Sequence, residues 1–283
     1  MKKVSFQGEP GAYSESAAKA YAKKRLEGEI TTIPCSTFKQ VLDNTETGIS
    51  DYSILPVENS IEGNVGESYD ALLTSSIYAI GELYHKIEHC LIGSGKLEEI
   101  DTVYSHPQAL GQCRNFLQDG SYKTIPTYDT AGSVKIVKDM NDKNVACIAS
   151  KNAATIYNMP IIKENIENDS NNYTRFLILK MEKPLSGYEN EDAKTSIVFS
   201  IKHESGALYK IIRIFNENKI NLTKIESRPK NDGSVIVPGK KWEYNFYVDF
   251  IGHESNENIT KVLSEIKNST SFLKIIGSYP RQD

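Results

Sequence analysis

No long apolar run occurs anywhere in the 283 residues. A helix that crosses a bilayer needs about 18 or more consecutive apolar residues, so the sequence predicts no membrane function. The opening Met1-Lys2-Lys3-Val4-Ser5-Phe6 has the basic start of an export signal, but Gly8, Glu9 and Pro10 arrive before any apolar stretch. A soluble, cytoplasmic protein is the expectation, with no transit peptide. Cysteine is scarce: Cys35, Cys90, Cys113 and Cys147 stand far apart with no C-x-x-C pair. That spacing fits neither a disulfide framework nor a zinc site, and no metal or cofactor is called for. An excess of positive charge is missing too. Lysine and arginine number 33 against 37 aspartates and glutamates, a net charge of -4, so nucleic acid is not an expected partner.

What is present suits a packed protein: 39% hydrophobic and 25% charged residues, over a length that suggests about two or three units. The polar stretch from Lys183 to Asp192 carries Pro184 and Gly187 without apolar periodicity and reads as a linker. Before it, apolar runs alternate with helical stretches. Strands are predicted at Val4–Phe6, Tyr52–Pro56, Thr102–Tyr104, Val145–Ala149 and Arg175–Lys180, with an extended pair over Ile77–Ile92. Helices are predicted at Ser14–Leu26, Phe38–Asn44, Pro107–Leu117, Thr130–Asp139 and Ala153–Tyr157. This alternation predicts an α/β architecture with largely parallel sheets. After the linker the order changes. Strands at Thr195–Ile201, Leu222–Glu226, Trp242–Ile251 and Phe272–Tyr279 enclose helices at Gly206–Asn218 and Ile259–Ile266. The resulting βαββαβ order is the ferredoxin-like plan, an α+β unit. Its helix-free face must pack elsewhere, and pairing with a second copy is the expected solution.

Several short motifs lead nowhere. Gly93-Ser94-Gly95-Lys96 imitates the end of a phosphate loop, but Cys90 and Leu97 occupy positions that need glycine and Ser/Thr. His85 and His89 stand four apart, yet they lie in an alternating, strand-like run, so a structural role is expected rather than metal ligation. Gly8-x-x-Gly11 suggests a tight backbone turn near a ligand.

More informative are polar loops at strand ends, where α/β sheets collect ligands. They run Gly8-Glu9-Pro10-Gly11-Ala12-Tyr13-Ser14, Pro56-Val57-Glu58-Asn59-Ser60-Ile61-Glu62-Gly63, Ser105-His106-Pro107-Gln108-Ala109-Leu110-Gly111-Gln112-Cys113 and Thr174-Arg175-Phe176. The last three match P-V-E-N-S-x-E-G, S-H-P-Q-A-L-x-Q-C and T-R-F, and Asp129-Thr130-Ala131 matches D-T-A. In the tail, Gly206-Ala207-Leu208 and Glu226-Ser227-Arg228-Pro229 match G-A-L and E-S-R-P. In this order, the chain resembles the prephenate dehydratases over nearly its whole length, with a C-terminal ACT regulatory domain. Ser68, Ser133, Cys147 and Tyr173 are mild departures from the family pattern.

The resemblance implies a catalytic domain over 1–183 with a two-lobed, periplasmic-binding-protein-like fold and a hinge cleft. Lobe one would be about 1–78 plus 157–183 and lobe two about 79–156, followed by an ACT domain over 194–283. It also implies the decarboxylating dehydration of prephenate to phenylpyruvate. The departing carboxylate supplies the electrons, so no base need remove a carbon-bound proton. What is needed is a donor to the leaving hydroxyl. Thr174 matches the family's proton donor, and Asn59, Ser105 and Gln112 match its other polar catalytic positions. Ala12, Tyr13, Ser14, Ser60, Glu62, His106, Gln108, Thr130, Ala131, Arg175 and Phe176 form the implied substrate-binding set. Arg175 has two readings, a cation for a substrate carboxylate or a member of a structural ion pair.

The ACT resemblance implies L-phenylalanine as feedback effector, at Gly206, Ala207, Leu208, Asn221, Leu222, Glu226, Ser227, Arg228 and Pro229. A homodimer or homotetramer is the implied assembly. Two other functions stay open: an arogenate dehydratase acting on the amino analogue, and a non-catalytic amino-acid-sensing binding protein. A dianionic substrate must also enter a protein of negative net charge, which demands local positive sites.

Overall fold

The computed structural model describes residues 1–26, 29–183, 192–230 and 243–282. Trp242 and most of the predicted linker lie outside the described residues. In chain order, the first part of the structure runs β1 (Lys2–Gln7), α1 (Tyr13–Arg25), β2 (Ile30–Cys35), α2 (Phe38–Glu46), β3 (Tyr52–Asn59), β4 (Gly63–Asn64), α3 (Gly66–Thr74) and β5 (Tyr78–Lys86). It continues through β6 (Cys90–Gly93), β7 (Thr102–Ser105), α4 (Pro107–Gln112), α5 (Arg114–Asp119), β8 (Lys123–Pro126), α6 (Gly132–Met140), β9 (Val145–Ala149), α7 (Lys151–Tyr157), β10 (Ile161–Lys163) and β11 (Tyr173–Lys180). The second part runs β12 (Ala193–Ser200), α8 (Ala207–Glu217), β13 (Leu222–Pro229), β14 (Tyr244–Ile251), α9 (Glu257–Ser269) and β15 (Phe272–Pro280). The chain forms two compact units, one of Met1–Ser68 with Leu83–Phe176 and one of Tyr69–Glu82 with Leu177–Asp283.

The first unit is built on two sheets. One has the strand order β2-β1-β3-β11-β5, with β4 paired to β3. Its β1 runs parallel to both β2 and β3. The other has the order β10-β6-β9-β7-β8. There β7 is parallel to β8 and β9, whereas β6 is antiparallel to β9 and β10. The sheets are therefore mixed, not largely parallel. In the first sheet β4 is likewise antiparallel to β3. The chain changes sheet between Lys86 and Cys90 and returns between Lys163 and Tyr173, against lobe limits of 79 and 157 expected from the sequence. The helix expected over Pro107–Leu117 is two helices, because Cys113 leaves helical geometry at φ -110 and ψ 18.

Strand β2 went unpredicted because Pro34 interrupts it, but β2 is an edge strand, where a missing N–H costs no ladder bond. Under the second sheet, Val134 and Val137 of α6 pack with Ala153 and Ala154 of α7 on Ile92 and Cys147. Its opposite face is closed by Ala109, Cys113 and Leu117 on Leu91, Val103 and Ile148. All four cysteines are free and buried. Burial pushes the Cys90 thiol up to about 11 and Cys147 up to about 12, with Cys113 higher still.

In the second unit, β12–α8–β13–β14–α9–β15 forms an antiparallel sheet of order β13-β14-β12-β15. Helices α8 and α9 lay Ile211, Ile214, Phe215, Ile259, Val262 and Ile266 onto Ile197, Phe199, Val248 and Phe250. The helix-free face of this sheet, expected to pair with a second copy, is instead covered from within the same chain. On β14 that face buries Asn245, Tyr247 and Asp249. The segment Tyr69–Glu82 of the same chain packs there. Tyr247 donates its hydroxyl to the Tyr69 carbonyl at 3.1 Å, and their rings lie 4.6 Å apart. Lys274 caps the C-terminal end of α3 by donating to the Leu72, Leu73 and Ser75 carbonyls. Lys194 meets the Glu82 carboxylate at 2.9 and 3.0 Å. At Gly277, where the β12–β15 register shifts, the backbone approaches Ala79 so closely that a Cβ would lie 2.1 Å from the Ala79 carbonyl oxygen.

Candidate active site

The first unit encloses a cavity of about 210 Å³. Four segments at the ends of strands β1, β3, β7 and β8, together with the start of β11, supply most of its wall. The β1–α1 loop brings Gly11, Ala12, Tyr13 and Ser14. Strand β3 ends in Asn59, helix α4 contributes Gln108, Ala109 and Gln112, and the approach to α6 gives Asp129, Thr130 and Ala131. Thr174 and Phe176 on β11 complete the polar arc.

The β1–α1 turn is fixed by its glycines. Gly8 and Gly11 sit at φ +115 and +96, and a Cβ on Gly11 would stand 2.6 Å from the Ala153 Cα. Ser150 closes the contact by donating its hydroxyl to the Gly11 carbonyl at 2.8 Å. Gly11 thus packs against α7 and also stands on the cavity wall, while a Cβ on Gly8 would meet the Ala12 Cβ at 2.9 Å. Gly11→Ala adds overpacking to left-handed strain and is expected to destabilise the fold by about 2–4 kcal/mol. A urea unfolding midpoint unchanged from the parent would contradict this.

Helix α1 starts without a side-chain cap at Ala12, while the buried first-turn Glu15 accepts from the Gly11 N–H at 2.7 Å and is paired with Lys19 at 2.6 Å. The first-turn N–H groups thus keep the positive end of the helix dipole beside a neutralised carboxylate. At α6 the equivalent position is taken: Asp129 Oδ1 accepts from the Gly132 N–H at 2.6 Å. At α4, His106 Nδ1 accepts from the Gln108 N–H at 3.3 Å. No lysine or arginine stands on the wall among the described residues.

Asn59 is held by its own loop. Its Oδ1 accepts the Ile61 and Glu62 N–H groups at 3.0 and 2.9 Å, which turns Nδ2 toward β11. That nitrogen donates to Asn172 Oδ1 at 2.8 Å and to Thr174 Oγ1 at 2.9 Å. Thr174 is buried on this wall, and no protein group among the described residues accepts its hydroxyl proton. Asn172 in turn donates to Gln112 Oε1 at 3.1 Å. The same oxygen faces His89 Nε2 at 2.8 Å, and His89 Nδ1 faces the Tyr13 hydroxyl at 2.9 Å. Burial holds His89 below the ordinary imidazole range, although the Gln112 bond and the Glu167 charge act the other way. Burial also raises the Tyr13 phenol well above its usual value.

The cavity gathers ten of the residues singled out from the sequence: Ala12, Tyr13, Ser14, Asn59, Gln108, Gln112, Thr130, Ala131, Thr174 and Phe176. Five others are not on its wall. Ser105 is fully buried and donates its hydroxyl to the Ile148 carbonyl at 2.7 Å, which ties β7 to β9. Ser60 donates to the Asn171 carbonyl, His106 caps α4, and Glu62 is exposed. Of the two readings of Arg175 the ion pair is the one observed, with the guanidinium 3.6 Å from Glu58 and only 4% exposed. Sequence reasoning missed Gln7, Phe38, Val65, Ile87, His89 and Ser150 on the wall. Of these, His89 had a visible signal, its place four residues after His85 in an alternating run, and was read as structural; it lies in the connection between β5 and β6.

The second unit has its own cavity, about 580 Å³, at the entry to α8. Gly206, Ala207 and Leu208 line it with His203, Tyr209, Tyr244 and Phe246. Gly206 has φ +81 and open space where a Cβ would be. Asn221, Leu222, Glu226, Ser227, Arg228 and Pro229 do not line it. Arg228 instead forms a two-bonded pair with Asp70 at 3.2 and 2.9 Å.

A mixed α/β unit with a cavity lined by hydrogen-bond donors, into which the Thr174 hydroxyl is set by Asn59, has the build of an enzyme site. The chain belongs to the prephenate dehydratase family, whose model matches residues 4–184, and it is a lyase. Arogenate dehydratase/prephenate dehydratase 1 of Arabidopsis thaliana is 39% identical, over 98% of this chain and 72% of the relative. The prephenate dehydratase of Arthrobacter aurescens, solved with L-Phe, superposes with a TM-score of 0.85 at 25% identity over 99% of this chain and 90% of its own. A quorum-quenching acylase superposes with the same score at 28% identity, over 99% and 98% of the two chains. No helix among the described residues is long and apolar enough to cross a membrane.

Proposed function

We propose that the first cavity catalyses the decarboxylating dehydration of prephenate to phenylpyruvate, water and CO2, within a catalytic domain of residues 1–183. The observation that carries this reading is the Thr174 hydroxyl. It accepts from Asn59 and has no protein acceptor for its own proton among the described residues, so that proton is available to a leaving hydroxyl on the wall. A threonine is a very weak acid, and its bond to the departing oxygen strengthens as the C–O bond breaks. Asn59 steadies the donor by bonding its lone pair. The electron pair comes from the carboxylate lost as CO2. The uncapped start of α1 at Ala12, Tyr13 and Ser14 receives a carboxylate, and Gln108, Gln112 and Thr130 add donors. Among the described residues no cationic side chain stands on the wall, so oriented N–H groups carry the attraction for the dianion, with the first-turn Glu15 neutralised by Lys19.

The hydrolytic alternative raised by the acylase is less well supported. His89, the histidine on the wall, bonds Tyr13 and Gln112 through its two ring nitrogens and activates no serine or threonine. Arogenate remains the second substrate reading, because relatives with both names match this chain.

We read the two sheets of the first unit as lobes of a periplasmic-binding-protein-like catalytic domain, and residues 194–283 as an ACT domain that binds L-phenylalanine at the α8 cavity. A cytoplasmic homodimer or homotetramer is the assembly proposed. Incubation with prephenate and, separately, arogenate tests the function: phenylpyruvate is expected from prephenate, and release of it should fall with millimolar L-phenylalanine. Turnover of neither substrate by folded protein that still binds phenylalanine overturns the reading in favour of a sensor. Equal activity with and without phenylalanine removes the regulatory part alone.

A further inference from the structure

The hydrogen bonds behind Thr174 run in one direction, and the backbone sets that direction. Because Asn59 Oδ1 takes two N–H groups of its own loop, its amide nitrogen must face Asn172 Oδ1. Asn172 therefore presents its NH2 to Gln112, and Gln112 must answer with its oxygen. That oxygen also lies 2.8 Å from His89 Nε2, so His89 must carry a proton on Nε2 to donate. The opposite tautomer would place a bare nitrogen against a carbonyl oxygen. Turning Gln112 over to relieve this would set its NH2 against that of Asn172, and turning Asn172 as well would clash at Asn59. Two donors thus converge on one face of Gln112. Its own NH2 has no protein acceptor among the described residues, and Gln112 lines the cavity.

We propose that His89 is a positioning residue of the dehydration: as the Nε2–H form it fixes the Gln112 amide with its oxygen inward and its NH2 free for the substrate. The proposal rests on the dehydratase reading above. His89 is well placed for this task because its backbone is tied on both sides. Its N–H donates to the Glu167 carboxylate at 2.9 Å, and its carbonyl accepts from the Ile166 N–H at 3.1 Å. Tyr13 packs edge-on against the ring at 5.5 Å, and its hydroxyl stands 2.9 Å from Nδ1 and 2.7 Å from the Glu88 carbonyl, so its one proton is shared between these two acceptors while Nε2–H serves Gln112. Without the imidazole, Gln112 keeps a single 3.1 Å bond from Asn172 and its side chain can turn away from the substrate. A lost orientation of this kind costs about 10- to 100-fold in rate.

Two near-isosteric replacements separate the ring's two sides. A glutamine amide reaches the place of Nε2, whereas an asparagine amide reaches only the place of Nδ1 beside Tyr13. His89→Gln is expected to keep kcat for prephenate within about threefold of the parent. His89→Asn and His89→Leu should lose about 10- to 100-fold in kcat, with KM changing less. Thermal unfolding of each variant separates this from a folding defect. Equal losses in the Gln and Asn variants, or full kcat in the Leu variant, overturn the proposal. A two-bond 1H–15N spectrum of the imidazoles in the full chain reads the tautomer with no substrate present. Protonated Nε2 is expected at His89, and a bare Nε2 overturns the assignment. Failure of the parent enzyme to convert prephenate would instead overturn the dehydratase reading, while the tautomer remains measurable.

Discussion

Thr174→Val is expected to lower kcat for prephenate by about two to four orders of magnitude, the range for loss of a positioned proton donor. Valine keeps the volume and the β-branch of threonine and removes only the hydroxyl. The fold should tolerate the change, because Asn59 Nδ2 retains Asn172 Oδ1 at 2.8 Å and the Tyr173 carbonyl at 3.2 Å as acceptors. The stability cost is then about 1 kcal/mol, that of one hydrogen bond. KM should move little, since a donor whose bond tightens as the C–O bond breaks contributes mainly to the transition state. Thr174→Ser, which restores the hydroxyl but not the methyl, should recover much of the rate. Steady-state kinetics with the parent and both variants measures this, and a Val variant with parental kcat removes Thr174 from the reaction.

The largest effect on stability is expected at Lys194. Its ammonium and the Glu82 carboxylate are almost wholly removed from water, with side chains 5% and 0% exposed. Glu82 receives one further bond from the Gln282 N–H at 3.2 Å. Lys194→Met takes the ammonium away from a buried carboxylate, and breaking such a pair from one side costs about 3–5 kcal/mol. Replacing both partners removes the stranded charge. The double variant Lys194→Met with Glu82→Leu should therefore be far more stable than the single one, and close to the parent. Urea unfolding of the three proteins decides it. A single variant as stable as the parent would show that water or another cation reaches Glu82.

These two sites differ in how far the sequence announced them. Thr174 belongs to a motif whose residue types and order are specific, so its place on the cavity wall was legible. So were Asn59 and Gln112, and the βαββαβ order of the last part of the chain, because strand and helix periods are local properties. Arg175 shows the opposite case. A cation beside the donor suits a carboxylate, but whether it faces the cavity or Glu58 depends on strand β3 more than 100 residues earlier. Ser105 matches its motif, and yet its hydroxyl goes to the Ile148 carbonyl. His89 was hidden for a related reason. Alternation places a side chain on one face of a strand without saying what stands opposite, here Gln112 and Tyr13 from two other elements. Strand β2 was missed because Pro34 argues against any strand except an edge one, and edges are a property of the assembled sheet.

The segment Tyr69–Glu82 beneath the four-stranded sheet bears on how such chains can be recombined. Its partners Lys194, Arg228, Tyr247 and Lys274 all come from beyond the linker. A gene fusion that joins the stretch after Lys183 to a different core would inherit four side chains without the groups that satisfy them, two of them lysines facing an acidic side chain and a helix end. The unit of exchange is discontinuous: residues 69–82 have to travel with the C-terminal part, or Lys194 and Lys274 have to change with it.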